Sequence, residues 1–140
     1  MDLPAILSEV PLLADLDRKT IKRLAEQGKQ RTYEAGQHIV NQGDPASAIY
    51  FLLHGRVRVE HEADGETTVL GELVPHAFFG ELALIEQTPR TASVIAVEET
   101  TCFLLLAWEF TALLKENPAM SDVLLRQMIG RLHRKEHHVF

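Results

Sequence analysis

A mainly β domain, a sandwich or barrel flanked by helices, is the fold class this sequence predicts, and three observations predict it. Between about residue 29 and residue 107, short β-rich runs alternate with turn residues: Gly36, Gly43-Asp44-Pro45, Gly55 and Asp64-Gly65. Helical periodicity occupies both flanks, over residues 3 to 28 and from residue 108 onward. The chain of 140 residues, with a hydrophobic fraction of 46%, is sized for a single domain spanning residues 1–140 with a real core.

The first flank reads as helical from residue 3 to residue 28. Asp17 is placed as an N-cap, with Leu16 and Ile21 spaced as a hydrophobic staple, and Gly28 as the C-terminal stop. Packing is the better account of this segment than chemistry. In the β region, Ile49–Leu53 and Val57–Val59 flank His54-Gly55-Arg56, which predicts a hairpin. Val57 and Val59 face one way, and Arg56, Arg58 and Glu60 the other. Asp64-Gly65 predicts a second hairpin leading into Thr67–Leu73. Val94–Val97 and Cys102–Leu106 are expected to form a last pair, joined by Glu98-Glu99-Thr100. On the second flank, Trp108-Glu109-Phe110 opens a short helix with Leu113 and Leu114. Asn117 is then expected to cap a longer helix, with Pro118 at its first position. Met120, Leu124, Met128 and Leu132 form its i+4 row, and Val123, Leu125 and Ile129 broaden that face.

Charge and composition exclude several classes of function. The formal net charge of −6 argues against a general nucleic-acid surface. No apolar run approaches the ~20 residues that would cross a bilayer, and the start lacks a signal-peptide pattern, so the cytoplasm is the expected location. Cys102 is the only cysteine, which leaves no internal disulfide and no cysteine cluster. Followed by Phe103–Leu106, it reads as an inert buried thiol.

The chemistry concentrates between Phe78 and Val94. An apolar pair ends at Gly80, where a ligand can approach the backbone closely. Glu81-Leu82-Ala83-Leu84 are good helix formers, and the first N–H groups of a helical turn suit a phosphate. Arg90 adds a planar cation that matches two phosphate oxygens, and Glu81 can accept from a sugar hydroxyl. Together these groups fit a sugar phosphate. The bland alternatives are a surface salt bridge for Arg90 and a helix-start carboxylate for Glu81.

Phe79-Gly80-Glu81-Leu82-Ala83-Leu84 and Arg90-Thr91-Ala92-Ser93-Val94 closely resemble the phosphate-binding cassette of cyclic-nucleotide-binding domains, as found in protein kinase A regulatory subunits, the catabolite activator protein and cyclic-nucleotide-regulated channels. The spacing of Gly36, Gly43-Asp44, Tyr50 and Gly55 resembles the front half of the same fold, so the likeness covers roughly residues 10 to 130. It implies a β jelly roll over residues 29–107, with an N-terminal helical part over 1–28 and C-terminal lid helices over 108–140. It implies cAMP or cGMP as ligand, with Gly80, Leu82 and Ala83 offering backbone groups, Glu81 accepting from the ribose 2′-hydroxyl and Arg90 meeting the phosphate. Thr91 lies beside the phosphate in such domains, and a hydroxyl there leaves cGMP open. Ser93 belongs to the same string, and both residues also suit an ordinary strand.

Leu70, with Leu73 and less so Val69, is a candidate wall for the base. Met128, Arg131 and Leu132 are candidates to cover it from the last helix, with Gly130 as a hinge. Core packing serves the wall candidates at least as well, and core packing or contact with a second copy serves Met128, Arg131 and Leu132 equally well. Pro75-His76-Ala77 departs from the family pattern and puts the turn before the cassette in question. The resemblance implies no cofactor and no catalysis of its own. Its partners would be the cyclic nucleotide and an effector domain or protein, in a monomer or in a homodimer through the last helix. The rival reading is a jelly-roll interaction module that no longer binds nucleotide. A metal-dependent jelly-roll enzyme would need several inward ligands, and His54 and His61 are too far apart to begin such a set; His133 and His137 stand at metal spacing but in a charged tail.

Overall fold

The computed structural model describes residues 2–80 and 89–133, with side chains as far as residue 130. Two helices, α1 (Leu3–Ser8) and α2 (Arg18–Gln27), precede eight strands. These are β1 (Lys29–Tyr33), β2 (His38–Val40), β3 (Ala48–His54), β4 (Val57–Ala63), β5 (Glu66–Leu73), β6 (Phe78–Phe79), β7 (Ser93–Ala96) and β8 (Thr100–Leu106). Two helices follow, α3 (Ala107–Glu116) and α4 (Ala119–His133). The strands form two four-stranded antiparallel sheets, in the orders β1-β8-β3-β6 and β2-β7-β4-β5. This is the expected jelly-roll sandwich with flanking helices.

β3 organises the layers. Its run Ala48-Ile49-Tyr50-Phe51-Leu52-Leu53 is buried throughout, as a strand covered on both faces must be. Ile49, Phe51 and Leu53 turn to one side, where they meet Leu7, Val10, Leu13, Ile21, Leu24, Phe110, Leu113, Met120 and Leu124 from the helical flanks. Ala48, Tyr50 and Leu52 turn to the other side and pack with Val57, Val59, Val94 and Ala96 of the second sheet. The order of layers is therefore helices, first sheet, second sheet. Val57 and Val59 point inward as their alternation predicts, and Cys102 is buried in the sandwich interior.

Local capping follows the sequence closely. The Asp17 carboxylate accepts from Thr20 N–H at 2.7 Å and so caps α2; that bond holds its pKa below the usual value. Leu16 packs on the cluster that contains Ile21. Asp64 and Gly65 take φ values of 54° and 80°, the left-handed pair of a type I′ turn, and β4 pairs with β5 across them.

Several expectations are corrected. Residues 3 to 28 form two helices rather than one helical run, with hydrogen-bonded turns between Glu9 and Leu16. Gly28 ends α2 as expected, but at an ordinary φ of −82°. Its lack of a side chain serves contact instead, because a Cβ there would collide with the Phe103 ring and stand 2.7 Å from the Leu104 carbonyl. The predicted hairpin across His54-Gly55-Arg56 does not form: β3 and β4 belong to different sheets, so this turn is a corner of the sandwich. Gly55 sits against Thr100 and the Glu99 carbonyl at that corner. The expected pair of β7 and β8 is split between the sheets in the same way. Asn117 caps the end of α3 rather than the start of α4, its amide donating to the Leu113 carbonyl at 3.0 Å. On α4, Val123 packs inward, whereas Leu125 and Ile129 remain exposed.

Candidate functional site

β6 is two residues long and delivers the chain to Gly80. Tyr50 and Phe79 are opposite one another across β3 and β6, and their rings stack with centroids 5.0 Å apart and planes 5° apart. Gly80 then takes φ = 94°, a left-handed conformation that disfavours any residue with a Cβ. The space beside it is filled by Arg90, whose guanidinium a Gly80 Cβ would strike.

Arg90 is 6% exposed. Its Nη1 donates to the Gly80 carbonyl at 3.2 Å and its Nη2 to the Ala48 carbonyl at 2.6 Å. Its Cζ lies 5.7 Å from the centre of the Tyr50 ring, within cation–π range. Burial raises the Tyr50 phenol pKa, and the nearby Arg90 charge opposes that rise. The backbone of Arg90 is held as firmly as its side chain. Its N–H donates to the Asp44 carbonyl at 2.8 Å, and its carbonyl accepts from Gly43 N–H at 2.8 Å. The loop between β2 and β3 therefore pairs with Arg90 as a short extra strand would. This arrangement places a permanent, desolvated cation against the Gly80 backbone, where the cassette stretch begins. Chemically it can receive an anion.

The remaining sequence candidates divide. Glu81, Leu82 and Ala83 lie outside the described residues. Thr91 is exposed immediately beyond Arg90. The Ser93 hydroxyl opens β7 and accepts from Gln42 N–H at 2.9 Å. Leu70 is half-buried against the sandwich interior, together with Leu73. Its position reflects a β-bulge: Val59 pairs with Gly71 and Glu60 with Val69, so Leu70 is the extra residue of β5. Val69 is exposed. Met128 packs on the helical side of the first sheet, with the cluster of Phe51 and Phe110, and not in the cluster that Leu70 joins. The side chains of Arg131 and Leu132 lie outside the described residues. The turn at Pro75-His76-Ala77 keeps a left-handed residue, His76 at φ = 81°, even though it is not glycine. His76 N–H donates to Leu52, and His76 Nε2 lies 3.3 Å from a Glu9 carboxylate oxygen.

Sequence reasoning did not single out the Ala48 carbonyl, the Tyr50–Phe79 stack as a floor for Arg90, or Gln42. The available signal was the Gly43-Asp44 turn a few residues before the apolar run Ala48–Leu53. A groove of about 510 Å³ between α2 and α3, lined by Thr20, Arg23, Gln27, Glu109, Ala112 and Glu116 among others, shares no residue with this site. Among the described residues, no three His, Cys, Asp or Glu side chains gather as a metal site requires.

The family model for the cyclic nucleotide-binding domain matches residues 30–117, which contain the sandwich except Lys29, the first residue of β1, together with α3. The chain belongs to this family. It is 36% identical over 91 residues to the cAMP-dependent protein kinase type II regulatory subunit of Drosophila melanogaster, a match covering 65% of this chain and 24% of that protein. The fold of the Thermus thermophilus catabolite activator protein superposes with a TM-score of 0.79 at 29% identity, over 89% of this chain and 59% of that one. The regulatory subunit of a cAMP-independent protein kinase A from Trypanosoma cruzi, bound to guanosine, superposes with a TM-score of 0.77 at 28% identity, over 87% of this chain and 43% of that one. The chain thus spans about a quarter of the length of the kinase subunit and three-fifths of the activator. Among the described residues, no helix is long and apolar enough to cross a membrane.

Proposed function

We propose that this chain is a sensor domain for a 3′,5′-cyclic nucleotide, cAMP before cGMP, without catalysis of its own. The observation that carries the reading is the buried Arg90 guanidinium, held beside Gly80 by two backbone carbonyls over the Tyr50 ring. A cation removed from water interacts far more strongly with a phosphate than one at the surface. In this reading Arg90 and the backbone from Gly80 to Ala83 bind the cyclic phosphate, and Glu81 accepts from the ribose 2′-hydroxyl. Thr91 and Ser93 lie on the strand side of the phosphate, and Leu70, re-aimed by the bulge, forms an apolar wall for the base. α4, carrying Met128, moves over the base as the site fills, and so passes occupancy to an effector domain or partner protein. A ligand shifts such a helix only through its difference in affinity for the two positions.

The guanosine-bound kinase relative supplies the specific contrast, because guanosine carries no phosphate. The buried Arg90 favours a phosphate-bearing ligand here. Titration with cAMP, cGMP, adenosine and guanosine tests this. The sensor reading predicts binding of a cyclic nucleotide at micromolar strength or better, and at least tenfold weaker binding of its nucleoside. Equal binding of nucleoside and cyclic nucleotide would overturn the phosphate role, and binding of none would leave the interaction-module reading in its place.

A further inference from the structure

The loop that grips the Arg90 backbone is itself fastened at one residue. Gln42 spans two strands of the second sheet. Its side-chain amide donates from Nε2 to the Glu62 carbonyl at 2.9 Å and accepts at Oε1 from Glu62 N–H at 2.8 Å. One glutamine side chain thus makes the two bonds that a neighbouring strand would make to β4. Its own backbone N–H donates to Ser93 Oγ at 2.9 Å, on β7. The next two residues, Gly43 and Asp44, make the reciprocal backbone bonds with Arg90. A further bond from Asp44 N–H to the Asn41 carbonyl, 3.1 Å, closes the turn.

We infer that Gln42 is a positioning residue for the ligand site, fixing the β2–β3 loop to the second sheet so that Arg90 is held in place beside Gly80. The inference rests on the sensor reading of Arg90. It goes beyond that reading by assigning a role to a residue outside the Gly80–Val94 stretch. The chemistry explains why glutamine stands here. Only a primary amide offers a donor and an acceptor side by side, in the geometry of a peptide group. Glutamate would set a carboxylate oxygen against the Glu62 carbonyl, and alanine would leave β4 without either bond. Beside Gln42, His38 Nδ1 and the Asn41 amide oxygen bond each other at 2.9 Å.

The test compares the wild type with Gln42→Ala and Gln42→Glu, and with Thr32→Ala as control. Thr32→Ala removes one side-chain hydrogen bond, to Thr101, on the other sheet. Two readouts are taken on the intact chain: calorimetric affinity for cAMP, and hydrogen exchange of the Gly43 and Arg90 amides without ligand. Gln42→Ala is expected to weaken cAMP binding about tenfold, the scale of one or two lost hydrogen bonds, and to speed exchange at both amides. Gln42→Glu should do the same, and Thr32→Ala neither. Unchanged affinity in Gln42→Ala, or an equal loss in Thr32→Ala, would overturn the inference. If the wild type binds no cyclic nucleotide, the sensor reading fails separately. The exchange data then decide on their own whether Gln42 holds Arg90: faster exchange at Gly43 and Arg90 upholds that role, and unchanged exchange overturns it.

Discussion

Arg90 is a cation almost without contact with water, and such burial is costly unless the charge is well solvated by the protein. Two backbone carbonyls and the face of Tyr50 take part in that solvation, and they also fix where the guanidinium points. Gly80 makes the arrangement possible, because its φ of 94° and its missing Cβ leave room for the guanidinium. Gly80→Ala therefore imposes backbone strain of about 1–2 kcal/mol and displaces Arg90 as well. The expected result is a lower Tm in thermal melts together with at least a tenfold loss of cyclic-nucleotide affinity; a variant with lower Tm but unchanged affinity would separate Gly80 from the site. At this scale the sequence was legible wherever one residue's chemistry decides its surroundings. The Asp17 cap and the Asp64-Gly65 turn rest on bonds and dihedrals within four residues. Leu70 was legible as an apolar strand residue, but its bulge was not, because a register shift depends on the partner strand. His76 shows the same limit: it adopts the left-handed conformation that its turn imposes, and nothing in its own type announces it.

Elements were legible as elements but not always as partners. β3 and β4 were expected to pair because a turn signal lies between two apolar runs. A turn reverses the chain without saying which sheet the next strand joins, and in a sandwich the corners carry the same residues as hairpins. The contact between α2 and the first sheet illustrates what decides such cases. Gly28 has an ordinary φ, and β1 starts at the next residue, paired with β8 through Lys29 and Leu104. The helix can hand over to the strand at once only because no side chain separates Gly28 from Phe103. Gly28→Ala should cost about 1–3 kcal/mol through overpacking, with no strain term. Urea unfolding measures it, and a change under 0.5 kcal/mol would show that the Phe103 ring moves aside freely. As far as Met128, α4 turns its predicted i+4 row inward, but Leu125 and Ile129, expected to broaden that face, do not join it. Met120 and Leu124 are buried, Met128 is half-buried, and Leu125 and Ile129 face outward.

At the scale of the molecule, the sandwich interior holds ionisable groups that are neutral at ordinary pH and stay so. Burial pushes the Cys102 thiol from 9.0 up to about 12, and burial pushes the Tyr33 phenol from 10.0 up to about 12. Each group keeps its proton in the fold at a pH where the unfolded chain has lost it. Unfolding then releases protons, so stability is complete below pH 9 and falls as the pH rises through 9 toward 12. Thermal melts at intervals from pH 8 to pH 11 should show a falling Tm, with Cys102→Ala losing less than the wild type between pH 9 and 10. A Tm that is flat or rising over that range would contradict the burial of both groups. The layering gives the proposed sensor a direct route between site and helices: β3 is shared by the helical cluster and the sandwich interior, and its residues Ala48 and Tyr50 touch Arg90 while Ile49 and Phe51 touch the helices.

The most direct measurement is calorimetric titration of the wild type and Arg90→Ala with cAMP and cGMP. The sensor account predicts binding of at least one nucleotide at micromolar strength or better in the wild type. It predicts a loss of at least a hundredfold in Arg90→Ala, about the scale of a charge-assisted pair of hydrogen bonds removed from a buried site. Equal affinities in the two proteins, or no binding of either nucleotide by the wild type, would contradict it.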